Sequence, residues 1–225
     1  IRTMNVMVCK KQKSEKDKTG HKQDFYPTPT SLVKELLKTG VLDKSKVILD
    51  PACGQHAIDD TLRDTGLFRK VIGTDIIYGD DFLTKKYKPN YCDTIVMNPP
   101  FELFDEFIVK AKDVAPLVVS IGKTDLFSAY KRYYNGLWKN LKEVYIFDRK
   151  VDYSNIERKE TFKCGMMTTG WFVWDKNWDR PYWKTSIIDV QKYVETGAFS
   201  STETFVPVLE RDSEYGEKIV LVNKE

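Results

Sequence analysis

Thr94-Ile95-Val96-Met97 is an apolar run of four residues, followed by Asn98 and then cut off by Pro99 and Pro100. A run of that length and composition fits a buried strand. Two successive prolines end it at once, because neither has a backbone N–H to donate. The pattern places an amide side chain, Asn98, on a stiff turn at the C-terminal edge of a strand, with the aromatic ring of Phe101 just beyond. In open α/β sheets that edge is where ligands bind.

The rest of the chain repeats the pattern of strand, breaker and helix. Phe25-Tyr26-Pro27-Thr28-Pro29 reads as a rigid extended entry. Ser31 is then expected to N-cap a helix that sets Leu32, Val33, Leu36 and Leu37 on one face and ends near Gly40. Val47-Ile48-Leu49 reads as a strand that runs into Asp50-Pro51-Ala52-Cys53-Gly54-Gln55-His56, a small-residue turn of the kind that brings backbone amides close to a ligand. A helix over Ala57 to Thr65 stops near Gly66, and a second strand, Val71 to Thr74, ends in Asp75. An acid there, roughly 20 residues after a glycine turn, is where Rossmann-like sheets hold ribose hydroxyls. Further on, Phe101 to Ala115 is expected to be helical with Phe104, Phe107, Ile108 and Ala111 inward. Leu117 to Ile121 reads as a strand and Phe127 to Leu141 as an aromatic-rich helix whose stripe is core. Glu143 to Asp148 and Thr169 to Trp174 read as an antiparallel strand pair, and Phe199 to Lys224 as a further one.

Taken together, these stretches resemble the motif set of class I S-adenosylmethionine-dependent amino-methyltransferases, above all small phage-like members that act on adenine N6 in DNA. The resemblance runs from about Phe25 to Trp178, and it looks looser over Gly170-Trp171-Phe172-Val173-Trp174. It implies an α/β fold: a Rossmann-like, seven-stranded, mostly parallel sheet with one antiparallel strand and helices on both faces. It implies S-adenosyl-L-methionine as cofactor. In that reading Tyr26 and Thr28 of the entry segment meet the methionine carboxylate. Asp50 accepts from the methionine ammonium, with Ala52 and Gly54 in the close-approach turn. Asp75 holds the ribose, Asp81 accepts from the adenine amine, and Phe82 packs on the adenine face. Asp80 takes the role of Asp81 if the register shifts by one. The catalytic turn is Asn98, Pro99, Pro100 and Phe101: the Asn98 oxygen and the Pro99 carbonyl accept from the target amine while Phe101 stacks on the flipped base. One departure stands out, since His56 occupies the place of the usual second glycine and needs a tolerable backbone angle there.

Composition bounds the remaining possibilities. The chain has 225 residues, 41% hydrophobic and 13% aromatic, which suits a single folded domain rather than a disordered chain. Seven Lys/Arg against three acids precede Phe25, whereas the whole chain carries only +3. A basic, flexible arm over residues 1–24 therefore precedes a near-neutral methyltransferase domain over 25–225 with no separate target-recognition domain. Such an arm can attract nucleic acid, and DNA is the expected partner, in a restriction-modification or phage setting. Sequence reading would fall to the arm and to loops at 149–167 and 177–184, where Arg149, Lys150, Arg158, Lys159 and Lys163 supply positive charge and Tyr153 or Phe162 a second stacking ring. Four scattered cysteines and two histidines lead to the expectation of no metal site, reduced thiols and a cytoplasmic protein. With no long apolar run and no signal peptide, no membrane is expected. Two alternatives stay open: methylation of another amine, in an RNA base or a protein glutamine, and a non-catalytic nucleic-acid-binding protein of the same fold.

Overall fold

A computed structural model describes residues 27–128, 130–151, 153 and 167–188, together with the backbone of 205–212 and 216–223. The basic arm, Tyr26, and the loop candidates Arg158, Lys159, Phe162 and Lys163 lie outside the described residues.

The first helix, α1 (Thr30–Lys38), is followed by β1 (Val47–Asp50), α2 (Ala57–Asp64), β2 (Lys70–Gly73), β3 (Thr94–Met97), α3 (Phe104–Val114), β4 (Leu117–Lys123), α4 (Tyr130–Tyr134), β5 (Leu141–Phe147), β6 (Thr169–Asp175) and β7 (Lys184–Ile188). The seven strands form one sheet in the order β2-β1-β3-β4-β6-β5-β7. β1, β2, β3 and β4 pair in parallel, β6 runs antiparallel to both β4 and β5, and β7 is parallel to β5. The fold class read from the sequence is the one observed. The chain leaves β1 for β2 on one side and continues in β3 on the other, so the point where strand order reverses lies between β1 and β3. Ligands bind outside the carboxyl ends of the strands at such a point.

Alternation along the strands divides the core between the two faces of the sheet. Leu49, Ile95 and Met97 join Phe104, Phe107, Ile108 and Ala111 of α3 in one buried cluster. Ile48 and Val96 join Leu32, Val33 and Leu36 of α1 and Ile58 and Leu62 of α2 in the other. Burying each such side chain contributes about 1.5–3 kcal/mol. Two buried indoles tie β6 to its surroundings without leaving a polar atom unpaired: Trp171 Nε1 donates to the Leu32 carbonyl and Trp174 Nε1 to the Leu137 carbonyl, at 3.0 and 2.9 Å.

Several boundaries differ from expectation for local reasons. The residue at the start of α1 is Pro29, not Ser31. Its φ of −56° suits a helix entry, it lacks only an N–H that would have had no helical acceptor, and its carbonyl accepts from Leu32. Residues Phe101–Leu103 form a 3-10 turn, because Pro100 is extended at ψ 126° and α3 begins only at Phe104. The expected long helix at Phe127 to Leu141 is a 3-10 turn, Thr124–Ser128, and the short α4. Gly136, at φ 70°, ends α4 in the left-handed region, and Leu137 N–H reaches back to the Arg132 carbonyl. β7 lies in part of what reads as loop, 177–184, and beyond it. At the sheet edge it keeps Lys184, Thr185 and Ile187 exposed and buries Ile188.

The last two strands, β8 (Phe205–Asp212) and β9 (Gly216–Asn223), pair as an antiparallel hairpin. They belong to a compact unit of their own, within Lys192–Glu225. The strand pair read near the C-terminus is thus present. Among the described residues no helix is long and apolar enough to cross a membrane.

Candidate active site

β1 and β3 are in register at Ile48–Thr94 and Leu49–Ile95, so Asp50 ends its strand level with Val96, two residues before Asn98. On the other side Asp50 pairs with Gly73, and Thr74 N–H donates to the Asp50 carbonyl at 2.8 Å, which carries Asp75 past the same edge. A cleft of about 530 Å³ opens there, within the roughly 300–1,000 Å³ typical of ligand sites. Its walls include Thr28, Ala52, Gly54, Asp75, Asp81, Phe82, Asn98 and Pro100. Eight of the residues singled out from the sequence are therefore brought to one cavity. Asp50, the last residue of β1, is fully buried and is not among the lining residues. Pro99 and Phe101 are not among the lining residues, and Tyr26 lies outside the described residues.

Asp50 is the electrostatic centre of the site. Its Oδ1 accepts from Ala52 N–H at 3.1 Å, and its buried Oδ2 has no hydrogen-bond partner among the described residues. Burial holds its carboxyl well above the usual carboxylate range, and the nearby Asp59 and Asp75 carboxylates add to that shift. A buried, unsatisfied carboxylate oxygen costs several times what a paired one contributes. A cationic ligand group at Oδ2 would remove that cost, so the site fits the ammonium of an amino-acid-bearing cofactor.

Asp75 organises the turn around it. Its two oxygens accept from Ile77 N–H at 3.0 Å and Gly54 N–H at 2.9 Å, which fixes the glycine of the first turn against the end of β2. Gly54 has φ 51°, a left-handed angle that favours glycine. Tyr78 Oη adds a bond to the Gly54 carbonyl at 3.0 Å and stacks on the His56 ring at 5.2 Å. His56 itself sits at φ 64° and ψ 24°, so the backbone angle that a glycine would supply is present in a histidine.

Asp81 lines the cleft and accepts from Leu83 N–H at 2.9 Å; bonds from Thr84 and Leu83 hold its carboxyl below the usual range. Asp80 instead pairs with Lys85, so the two neighbouring acids have different partners. Phe82 is 2% exposed and stacks on Phe107 at 5.3 Å, so most of its ring is core. Asn98 Nδ2 donates to the Thr28 hydroxyl at 3.1 Å, and both residues line the cleft. The sequence reading gave Thr28 to a cofactor carboxylate; here its hydroxyl holds the amide of the Asn-Pro-Pro turn. Phe101 stands under Lys123, whose Nζ is 4.6 Å from the ring centroid, and meets the Tyr153 ring edge-on at 6.5 Å.

Sequence reasoning missed Ile76, Ile77 and Leu103 of the cleft wall. The first two are 69% and 60% exposed, and their signal is two large aliphatic residues immediately after a strand-end acid, where no core awaits them. A larger hollow, about 1,020 Å³, lies over the outer side of α3. It shares only Leu83 with the cleft, and two of its cations are engaged: Arg132 with Asp105, and Lys110 with the carbonyls of Leu83 and Lys85. None of its lining residues directly follows a strand, as Asn98 does in the smaller site.

No protein-family model and no curated protein matches the chain. Solved structures similar to it include a type I restriction-modification system methyltransferase subunit from Streptococcus thermophilus, at 12% identity over 77% of this chain and 49% of that one, TM-score 0.47. A dimethyladenosine transferase from Plasmodium falciparum is similar at 12% identity over 67% and 62%, TM-score 0.43. A 23S rRNA methyltransferase is similar at 14% identity over 70% of each chain, TM-score 0.39. The chain spans about half the length of the restriction-modification subunit.

Proposed function

We propose that the chain is an S-adenosylmethionine-dependent methyltransferase acting on the exocyclic N6 amine of adenine in DNA. The observation that supports this reading is the convergence of Asp75, Asp81 and Asn98 on one strand-edge cleft, together with the buried Asp50 at the end of β1, whose Oδ2 has no hydrogen-bond partner among the described residues.

The cofactor would supply a methyl group on a sulfonium, an electrophile that needs no metal. Asp50 would receive the ammonium. Asp75, which accepts from Gly54 N–H, would hold the ribose, and Asp81 would accept from the adenine amine. The target amine is a poor nucleophile because its lone pair spreads into the ring. The Asn98 oxygen and the Pro99 carbonyl would accept its two hydrogens and localise the pair on nitrogen. The nitrogen would take the methyl group in an in-line displacement, with the sulfur–carbon bond giving way as the nitrogen–carbon bond forms, and the surplus proton would pass to water. The contribution of the protein is positioning and electrostatics. A stacked adenine must first leave the duplex, at a cost of a few kcal/mol, of which stacking on Phe101 would return about 1–3 kcal/mol.

The test is transfer of labelled methyl from S-adenosylmethionine to DNA, RNA and protein in parallel, with hydrolysis of the product to identify the modified base. Label in N6-methyladenine from DNA is the expected result. Label only in RNA or in protein would move the assignment to another amine. No label, with cofactor binding intact, would leave a non-catalytic nucleic-acid-binding protein.

A further inference from the structure

The turn that enters α2 holds a cluster of groups that methyl transfer does not use. Cys53, His56 and Asp59 follow one another at intervals of three residues. A thiol sulfur, an imidazole nitrogen and a carboxylate oxygen from them all lie within 4.8 Å of one another. Cys53 and Asp59 are buried, and His56 is partly exposed above them.

Three features of the surroundings are unusual for a simple helix cap. First, His56 adopts a left-handed backbone that is uncommon outside glycine, and in that conformation its Nδ1 stands 2.9 Å from Asp59 Oδ2. Second, the strand opposite has no side chain at this point. A methyl on Gly73 would lie 2.2 Å from Asp59 Oδ2 and 3.1 Å from His56 Nδ1, so the pair occupies space that only glycine leaves. Third, Asp59 Oδ1 is buried and has no hydrogen-bond partner among the described residues. Its Oδ2 also meets Arg63 at 2.9 Å, but Arg63 is about half exposed and shared with Asp60. Asp50 and Asp75 stand near Cys53 as two further acids. The cluster is thus an acidic, partly buried nest with an unsatisfied oxygen and a soft ligand beside it.

We propose that Cys53, His56 and Asp59 form a binding site for a thiophilic divalent cation of the zinc class. Sulfur, imidazole nitrogen and carboxylate oxygen are the ligand types zinc takes, and a mixed sulfur–nitrogen set disfavours magnesium and calcium. Three protein ligands leave a fourth position for water or for a molecule in the cleft, which Cys53 also lines. Binding releases the thiol proton to solvent. The cation would fasten the Cys53 to His56 turn to the first turns of α2, which gives a reason for histidine in place of glycine. The spacing escapes a scan for paired cysteines and histidines because its third ligand is a helix aspartate. The proposal is independent of methyl transfer and stands or falls without it.

The full chain, stripped with a chelator, is titrated with Zn²⁺ against a chromophoric indicator and with Co²⁺ followed by thiolate-to-cobalt charge-transfer absorption. One equivalent of Zn²⁺, a charge-transfer band, and a rise in thermal midpoint on adding Zn²⁺ are expected. Loss of even an outer-shell partner costs about 10–100-fold in metal affinity, so Cys53→Ser should weaken Zn²⁺ at least about tenfold and remove the band. His56→Gly, which suits the left-handed backbone, should weaken it comparably while circular dichroism stays that of the parent. Absence of stoichiometric Zn²⁺ binding overturns the site. So does a parent-like affinity in both variants, or a band that survives Cys53→Ser, either of which would put the metal elsewhere.

Discussion

The side-chain amide of Asn98 donates to the hydroxyl of Thr28 across 3.1 Å, between segments 70 residues apart. The bond commits the NH2 end of the amide, so the oxygen is the end that can accept from an amine. Thr28 is itself 6% exposed, and the bond is part-buried in the cleft wall. Asn98→Ala should therefore lower methyl transfer by roughly a hundred- to a thousandfold, the cost of removing one preorganised polar group. Cofactor affinity, which the proposal assigns to Asp50, Asp75 and Asp81, should hardly change. Thr28→Val removes only a neutral hydrogen bond and should lower turnover by up to about tenfold. Single-turnover rates alongside cofactor titration separate the two effects. Near-normal turnover of Asn98→Ala would make the turn structural.

Asp75→Ala should weaken S-adenosylmethionine binding more than loss of a ribose contact alone would. A hydrogen bond to a charged group is worth about 1.5–3 kcal/mol. Asp75 also anchors the Gly54 and Ile77 amides, so the variant releases both turns that frame the cleft. Calorimetry should show at least a tenfold loss of affinity. Asp75→Asn, which keeps one acceptor oxygen, should fall between the parent and the alanine variant. Unchanged affinity in Asp75→Ala would remove Asp75 from the cofactor site.

These residues were legible in the sequence for a common reason. Asp50, Asp75 and Asn98 each end a short apolar run that a turn interrupts, and a parallel sheet puts all such ends on one edge. What the sequence concealed depends on tertiary packing. The resemblance gives Phe82 to the adenine face, and its ring also packs against Phe107 and Tyr87. β7, of which only Lys184 falls in the loop read at 177–184, is not announced by its sequence because an edge strand needs only one buried face, and Ile188 supplies most of it. The Thr28–Asn98 bond and the proximity of Cys53, His56 and Asp59 depend on how the turns close, which no spacing rule encodes.

Asp50 should make the cofactor-free protein pH-sensitive. Its pKa is raised in the folded state above the ordinary 3.8. Folding therefore carries no ionisation penalty from Asp50 below that value, and the penalty grows as pH rises through the folded-state pKa. Asp50→Asn cannot ionise. It should melt higher than the parent near neutral pH, with the advantage disappearing toward about pH 3. The same variant should bind S-adenosylmethionine more weakly, because the ammonium loses its charged partner. Thermal unfolding across pH, with and without cofactor, checks both signs. A variant that melts lower than the parent at neutral pH would show that the Asp50 charge is already compensated.

Phe101 and Lys123 make the sharpest test of nucleic-acid capture. Lys123 is the last residue of β4, and its ammonium lies 4.6 Å from the Phe101 centroid, a cation–π contact worth about 0.5–1 kcal/mol where exposed. A base arriving at the ring would bring its own phosphate to the same strand edge, where Lys123 is the nearby cation recorded over that ring. Phe101→Ala should weaken capture of an adenine in duplex DNA, and the loss should shrink on single-stranded or mismatched DNA, where less unstacking is needed. Lys123→Met should behave differently. It should weaken duplex and single strand alike and reduce the slope of log affinity against log salt by about 0.7–0.9, the signature of one lost phosphate contact. An unchanged slope would confine Lys123 to ordering the Phe101 ring. Equal losses for Phe101→Ala on paired and unpaired adenine would mean that the ring does not receive a flipped base.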